Sequence, residues 1–149
     1  MSFADFLNPD CVVVAPTATD KWELIRQMAE VLCASGTFPA ERLDEVNQAL
    51  VARENSVSTG MEDGIAVPHA ALDCVHTVHA AMSLIPNGID FHTLDGNPAK
   101  IVVMLLVPRA EKLLHVRTLT EIARRLGDSS FRTRLLECTD GEGVQRLWT

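Results

Sequence analysis

The chain has 149 residues, 47% of them hydrophobic and 22% charged, which suits one domain with a substantial core and excludes a disordered or fibrous protein. Its net charge of −7 sets up a field that repels a phosphate backbone, which excludes nucleic-acid binding as the main role. No apolar run approaches the roughly 20 residues needed to span a bilayer, and "MSFADFLNPD" has no basic segment followed by an apolar one, so a cytoplasmic domain with no direct membrane insertion is expected.

There is no internal repeat, low-complexity tract or linker, so residues 1–149 are expected to form a single domain. "FADFLN" reads as a short amphipathic turn closed by Asn8-Pro9, and "CVVVAP", 11–16, as a valine-rich strand stopped by Pro16. Thr19 or Asp20 caps a helix running to about Ser35, with Trp22, Ile25, Ala29 and Leu32 on its inward face and Gly36 at its end. A second helix opens at Pro39 and runs to about Glu54. Its apolar row of Leu43, Val46 and Leu50 continues to Arg53. "NSVSTGMEDG", 55–64, is polar and glycine-punctuated, hence a loop.

Strands are predicted at about 64–68, 77–85 and 100–107. The last, "KIVVMLLV", is so apolar that it belongs in the middle of a sheet. Turn signals fall at Asn87-Gly88 and Asp95-Gly96. Helices are predicted at about 111–126, 128–137 and 140–148, with Asp128 and Asp140 as N-caps of the last two. Helices before, between and after strands imply an α/β fold, a helix-flanked sheet with some antiparallel pairing.

Cys11, Cys33, Cys74 and Cys138 are widely spaced and lie among apolar neighbours, so they read as small buried hydrophobes in a reducing compartment. No two Cys or Cys/His residues share a short chelating spacing, which argues against a zinc site.

Of the five histidines, His76 and His79 flank the start of a strand, where their spacing puts them on opposite faces, and His92 lies in a turn-rich loop. His69 stands out in "DGIAVPHA". Pro68 has no N–H for a ladder and is expected to end the strand, so His69 leaves the sheet at its rim. His115 shares a stripe with Leu119, Ile122 and Leu126 and points inward near a helix N-terminus, where an anion is favoured. Arg53, at the end of its apolar row, either snorkels or pairs with an anion.

Together with Ser58, Thr59 and Gly60, these residues are a candidate phosphoryl site. Neutral His69 is the nucleophile, His115 orients it or stabilises the phosphoryl oxygens, and Arg53 offsets their charge. On pattern alone, a packed histidine at 115, a structural Pro-His corner at 68–69 and a surface arginine at 53 remain open. There is no carboxylate pair, P-loop, GxSxG or GxGxxG motif to support a hydrolase or nucleotide-binding reading.

"LVARENSVSTGMEDGIAVPHA", 50–70, closely resembles the signature of phosphotransferase-system EIIA domains of the fructose, mannitol and nitrogen-regulatory type. "LLVPRAEKLLHVRTLTEIARRL", 105–126, resembles that family's second block, and "TDKWELIRQMAEVLCASG" its first helix. The resemblance implies a mannitol-type EIIA-like fold, a mixed sheet flanked by helices on both sides. It also implies a histidine phosphocarrier that needs no cofactor and no metal and acts only with partner proteins.

By position, His69 would accept the phosphoryl group from HPr or its nitrogen-branch counterpart. It would pass the group to an EIIB acceptor in sugar uptake, or its phosphorylation state would control a regulatory target protein. His115 would be the second active-site histidine, with Arg53 and Thr59 beside it. The chain departs from the pattern at Glu62, where relatives often have glycine in a "TGIGNG"-like loop; at Ala70, glycine or alanine is usual. Glu62 adds a negative charge near an incoming phosphate, which would weaken the phospho-form or tune partner choice. It is the one hint of a scaffold that has lost phosphorylation.

Overall fold

The computed structural model of the chain describes residues 2–149. The elements run α1 (Phe3–Phe6), β1 (Leu7–Val14), α2 (Lys21–Ala34), a 3-10 turn (Ala40–Arg42), α3 (Leu43–Ser56), β2 (Ile65–Ala66) and β3 (His69–Leu72). They continue with β4 (His79–Ile89), β5 (Ala99–Pro108), α4 (Lys112–Leu126), α5 (Ser129–Leu136) and α6 (Gly141–Trp148). Asp20, Asp128 and Asp140 cap α2, α5 and α6, each accepting from backbone N–H groups of the first turn. No helix among the described residues is long and apolar enough to cross a membrane.

The sheet is mixed, in the order β1-β4-β5-β2, with β3 also pairing β5. β1 lies parallel to β4, β4 antiparallel to β5, and β2 and β3 parallel to β5. The apolar β5 is central as expected, because both its faces are covered. Ile101, Val103, Leu105 and Val107 pack with residues of α1, α4, α5 and α6, while Val102, Met104 and Leu106 pack with residues of α2 and α3. On the first side Trp148 seals the core, with Phe3 at 4.4 Å and Phe131 at 5.0 Å between ring centroids.

Several local expectations give way to the sheet. β1 begins at Leu7, so Asn8-Pro9 lies within an edge strand rather than closing a turn. The register shift between Leu7 and Val12 absorbs the proline. On α2, Lys21 is buried and Trp22 lies outward, 37% exposed, because Lys21 has a buried partner described below. β4 continues to Ile89, and Asn87-Gly88 forms an irregularity in that strand, with Gly88 at φ +74°, rather than a turn between strands. His76 precedes β4, so only His79 belongs to it. Of the cysteines, Cys11 is buried while Cys33, Cys74 and Cys138 are half-buried.

Candidate functional site

The alternation of a β-strand decides where His69 points. It pairs in register with Leu105, on the face of β5 that meets α4, while Ala70 and Leu72 turn to the α2–α3 side. Pro68 interrupts pairing without ending it. It has no N–H, but its carbonyl accepts from the Leu105 N–H at 3.0 Å, and the ladder resumes at once. His69 is therefore the first residue of β3 and not a side chain beyond the rim, a correction to the expectation from the proline alone.

His69 is half-buried, and its Nδ1 lies 2.9 Å from the Val67 carbonyl. A carbonyl oxygen only accepts, so Nδ1 donates its proton there and Nε2 keeps the free lone pair. The His115 ring stands edge-on to it, 5.1 Å between centroids at 68°. His115 Nε2 is buried and finds no hydrogen-bond partner among the described residues, an unmet polar atom beside the first ring. The stripe behind it is buried at Thr118, Ile122 and Leu126, and half-buried at Leu119.

Arg53, in the last turn of α3, is half-buried and donates from Nη1 to the Val57 carbonyl at 2.9 Å. Burial lowers the pKa of His69 below the usual histidine value. The bond to Val67 works against this, and the nearby Arg53 cation and His115 add to the lowering. Burial lowers His115 as well, followed by Arg53. Both rings are held toward the neutral form, with one cation close to both.

The sequence row through Leu43, Val46 and Leu50 pointed on to Arg53, but the fully buried residue at the end of α3 is Glu54, 2% exposed. A helix period of 3.6 lets the row step from Val46 to Leu50 to Glu54 as readily as to Arg53, and that spacing was the available signal. Glu54 accepts from Lys21 Nζ at 3.3 Å, from the Thr59 N–H at 2.8 Å and from the Thr59 hydroxyl. The Ser58 hydroxyl donates to the Phe91 carbonyl, and the Gly60 N–H donates to Ser58 Oγ at 3.0 Å. The donors of Ser58, Thr59 and Gly60, expected to hold a phosphoryl group, are thus committed to shaping the loop. His69, His115 and Arg53 are brought together. His76 and His92 are exposed, as is Glu62.

Gly60 is needed where it stands. A Cβ there would lie 2.8 Å from the Phe91 carbonyl oxygen and 2.9 Å from the Thr93 Cα, and backbone cannot yield as a side-chain end does. Gly60→Ala should push the loop away from residues 91–93 and destabilise the protein by about 1–3 kcal/mol, read from urea unfolding.

The family model for the phosphoenolpyruvate-dependent sugar phosphotransferase system, EIIA 2, matches residues 5–148. A fructose-specific EIIA component from Haloferax volcanii is 37% identical over 102 residues, 68% of this chain and 66% of that protein. A nitrogen regulatory protein from Pseudomonas aeruginosa is 30% identical over 95% of this chain and 90% of its own length. Among solved structures, the nitrogen regulatory protein IIA-Ntr of Neisseria meningitidis superposes with a TM-score of 0.89 at 25% identity, covering 98% of both chains. IIA mannitol of Escherichia coli superposes with 0.80 at 26% identity, covering 95% of this chain and 98% of that one. With the family model spanning nearly every residue and the fold matching two solved relatives, the chain belongs to the EIIA type 2 family of the phosphoenolpyruvate-dependent sugar phosphotransferase system.

Proposed function

We propose that the protein is a phosphohistidine carrier in which His69 Nε2 attacks the phosphoryl group of HPr or its nitrogen-branch counterpart. The observation that carries this reading is the Nδ1–H bond to Val67, which leaves Nε2 as the available nucleophile beside His115 and Arg53. A P–N bond forms at Nε2 as the P–N bond on the donor histidine breaks. Little covalent work falls to the protein, so positioning and charge stabilisation are what it must supply. His115 Nε2, when protonated, is a donor for the phosphoryl oxygens, and the Arg53 guanidinium offsets their negative charge.

Partner proteins have a surface to meet. Val57, Leu94, Leu113 and Val116 are 59–79% exposed, and they lie beside Arg53, on the loop next to Gly60, and on either side of His115. Large apolar side chains left that open around a reactive group suit a protein–protein contact. A complex of a related IIA mannitol with phosphorylated IIB mannitol has been solved, with a TM-score of 0.79 at 25% identity, which supports an EIIB as the acceptor. The second reading is a nitrogen-regulatory protein with the same site, whose phosphorylation state controls a target protein. It is favoured by relatives of that description that match along 95–100% of this chain and by the IIA-Ntr superposition.

The test is intact-mass spectrometry after incubation with phosphoenolpyruvate, enzyme I and either HPr or its nitrogen-branch counterpart. One acid-labile phosphoryl group is expected, and no mass gain with either donor would overturn the reading. Adding purified fructose- or mannitol-type EIIB then separates the branches, since discharge supports the uptake role and its absence supports the regulatory one.

The pH profile follows from the lowered pKa of His69. A protonated ring cannot attack, so phosphoryl uptake should stay level as pH falls from neutrality to the ordinary histidine value of 6.5 and decline only below it. Stability has the matching sign. His69, His79 and His115 all have lowered values, so the unfolded chain binds protons first, and stability should be lost as pH falls below about 6.5. Thermal melts across pH 5–8 would show a midpoint falling on the acid side.

A further inference from the structure

Glu54 and Lys21 are ionisable residues that the transfer chemistry does not use directly, yet both are buried, at 2% and 5% exposure. Two charges taken out of water need a compensating arrangement, and here it is local and directional. Lys21 Nζ meets Glu54 at 3.3 Å and lies over the rings of Trp22 and Phe91, 4.9 and 5.7 Å from their centroids.

From Glu54 a continuous chain of hydrogen bonds leads to the reactive ring. Glu54 accepts from the Thr59 N–H at 2.8 Å, the Thr59 carbonyl accepts from the Val67 N–H at 3.2 Å, and the Val67 carbonyl accepts from His69 Nδ1–H at 2.9 Å. The Gly60–Ala66 bridge and the Met61 N–H on the Ile65 carbonyl at 2.8 Å clamp the same loop onto β2. The charged groups that act on His69 are Arg53 and Glu54 from α3 and His115 from α4, and the Glu54 carboxylate opposes the other two.

We propose that Lys21 and Glu54 are a positioning pair for His69. Through Thr59 and Val67 they hold the ring in the tautomer that leaves Nε2 free, and the Glu54 carboxylate balances the Arg53 cation beside it. Lys21 pairs with that carboxylate and fixes it inside the protein. The inference rests on His69 being the phosphoryl acceptor, but the pair's grip on the ring can be read without any phosphoryl transfer.

The experiment is ring 13C and 15N NMR of the histidine-labelled full chain through a pH titration, with the His69 signals assigned by their loss in His69→Ala. The wild-type ring should be the Nδ1–H tautomer at neutral pH. Glu54→Gln should introduce the Nε2–H tautomer and lower the titration midpoint by about half a pH unit, because a nearby negative charge is gone. In the double variant Lys21→Met/Glu54→Gln, which leaves no unpaired buried charge, the Glu54 charge is still gone, so the lowered midpoint and the mixed tautomer should both persist.

A merely structural role would leave the His69 tautomer and midpoint as in the wild type in the double variant, where no unpaired buried charge disturbs the fold. Wild-type tautomer and midpoint in Glu54→Gln would overturn the inference, and should that variant fail to fold, a wild-type tautomer in the double variant would do so. Failure of the wild type to take up phosphate would sink the carrier reading alone and leave these titrations decisive for the pair.

Discussion

His69→Ala should take up no phosphoryl group from any donor, while His115→Ala should still be phosphorylated but roughly 10²–10³-fold more slowly. The first loses the proposed nucleophile. The second loses a preorganised group that meets the transferring phosphoryl in a partly dry site, and removing one such donor costs about that factor. The two proposed roles follow from a difference in geometry between the rings. His69 is tied to Val67 with Nε2 open, whereas His115 stands edge-on at 5.1 Å with its Nε2 unpartnered among the described residues. Single-turnover phosphorylation on a rapid-quench instrument measures both rates. Equal loss in the two variants would mean that the rings act interchangeably, and a wild-type rate in His115→Ala would remove it from the site. Neither substitution should disturb the fold much, since both rings are only half-buried.

Lys21→Met is expected to destabilise the protein by about 3–5 kcal/mol, the cost of leaving a buried carboxylate without its partner. The methionine fills most of the space of the lysine stem, so little of the loss comes from a cavity. Adding Glu54→Gln should recover part of that loss, because the uncompensated charge is then gone, though one bond to Thr59 goes with it. Urea unfolding of the two single variants and the double gives the coupling directly. Purely additive losses would mean that the 3.3 Å contact contributes nothing to the folded state.

Element by element, the chain was most legible where the local chemistry admits one solution. Asp128 and Asp140 begin helices because their carboxylates satisfy free N–H groups, and they do so as expected. "KIVVMLLV" had to be a strand covered on both faces, since no water-facing strand leaves so many apolar residues in a row. The approximate neighbourhood of the site, with a histidine after Pro68 and another on the following helix, was also readable from the residues.

What the sequence determined by itself was the kind of elements, their caps and the chemistry-bearing side chains, because those depend on neighbours a few residues away. Tertiary structure decided the rest. Pro68 looked like a strand end because its missing N–H is a local fact, but β5 supplies a donor to its carbonyl and pairing resumes. Neither Lys21 nor Glu54 stood out in the sequence as half of a buried pair, because their partnership spans 33 residues, and only the packing of α2 against α3 makes it worthwhile to bury them together. The tautomer of His69 was invisible for the same reason. It is set by a carbonyl two residues back whose direction is fixed by a loop folded onto the edge of the sheet, and such geometry exists only once distant segments have met.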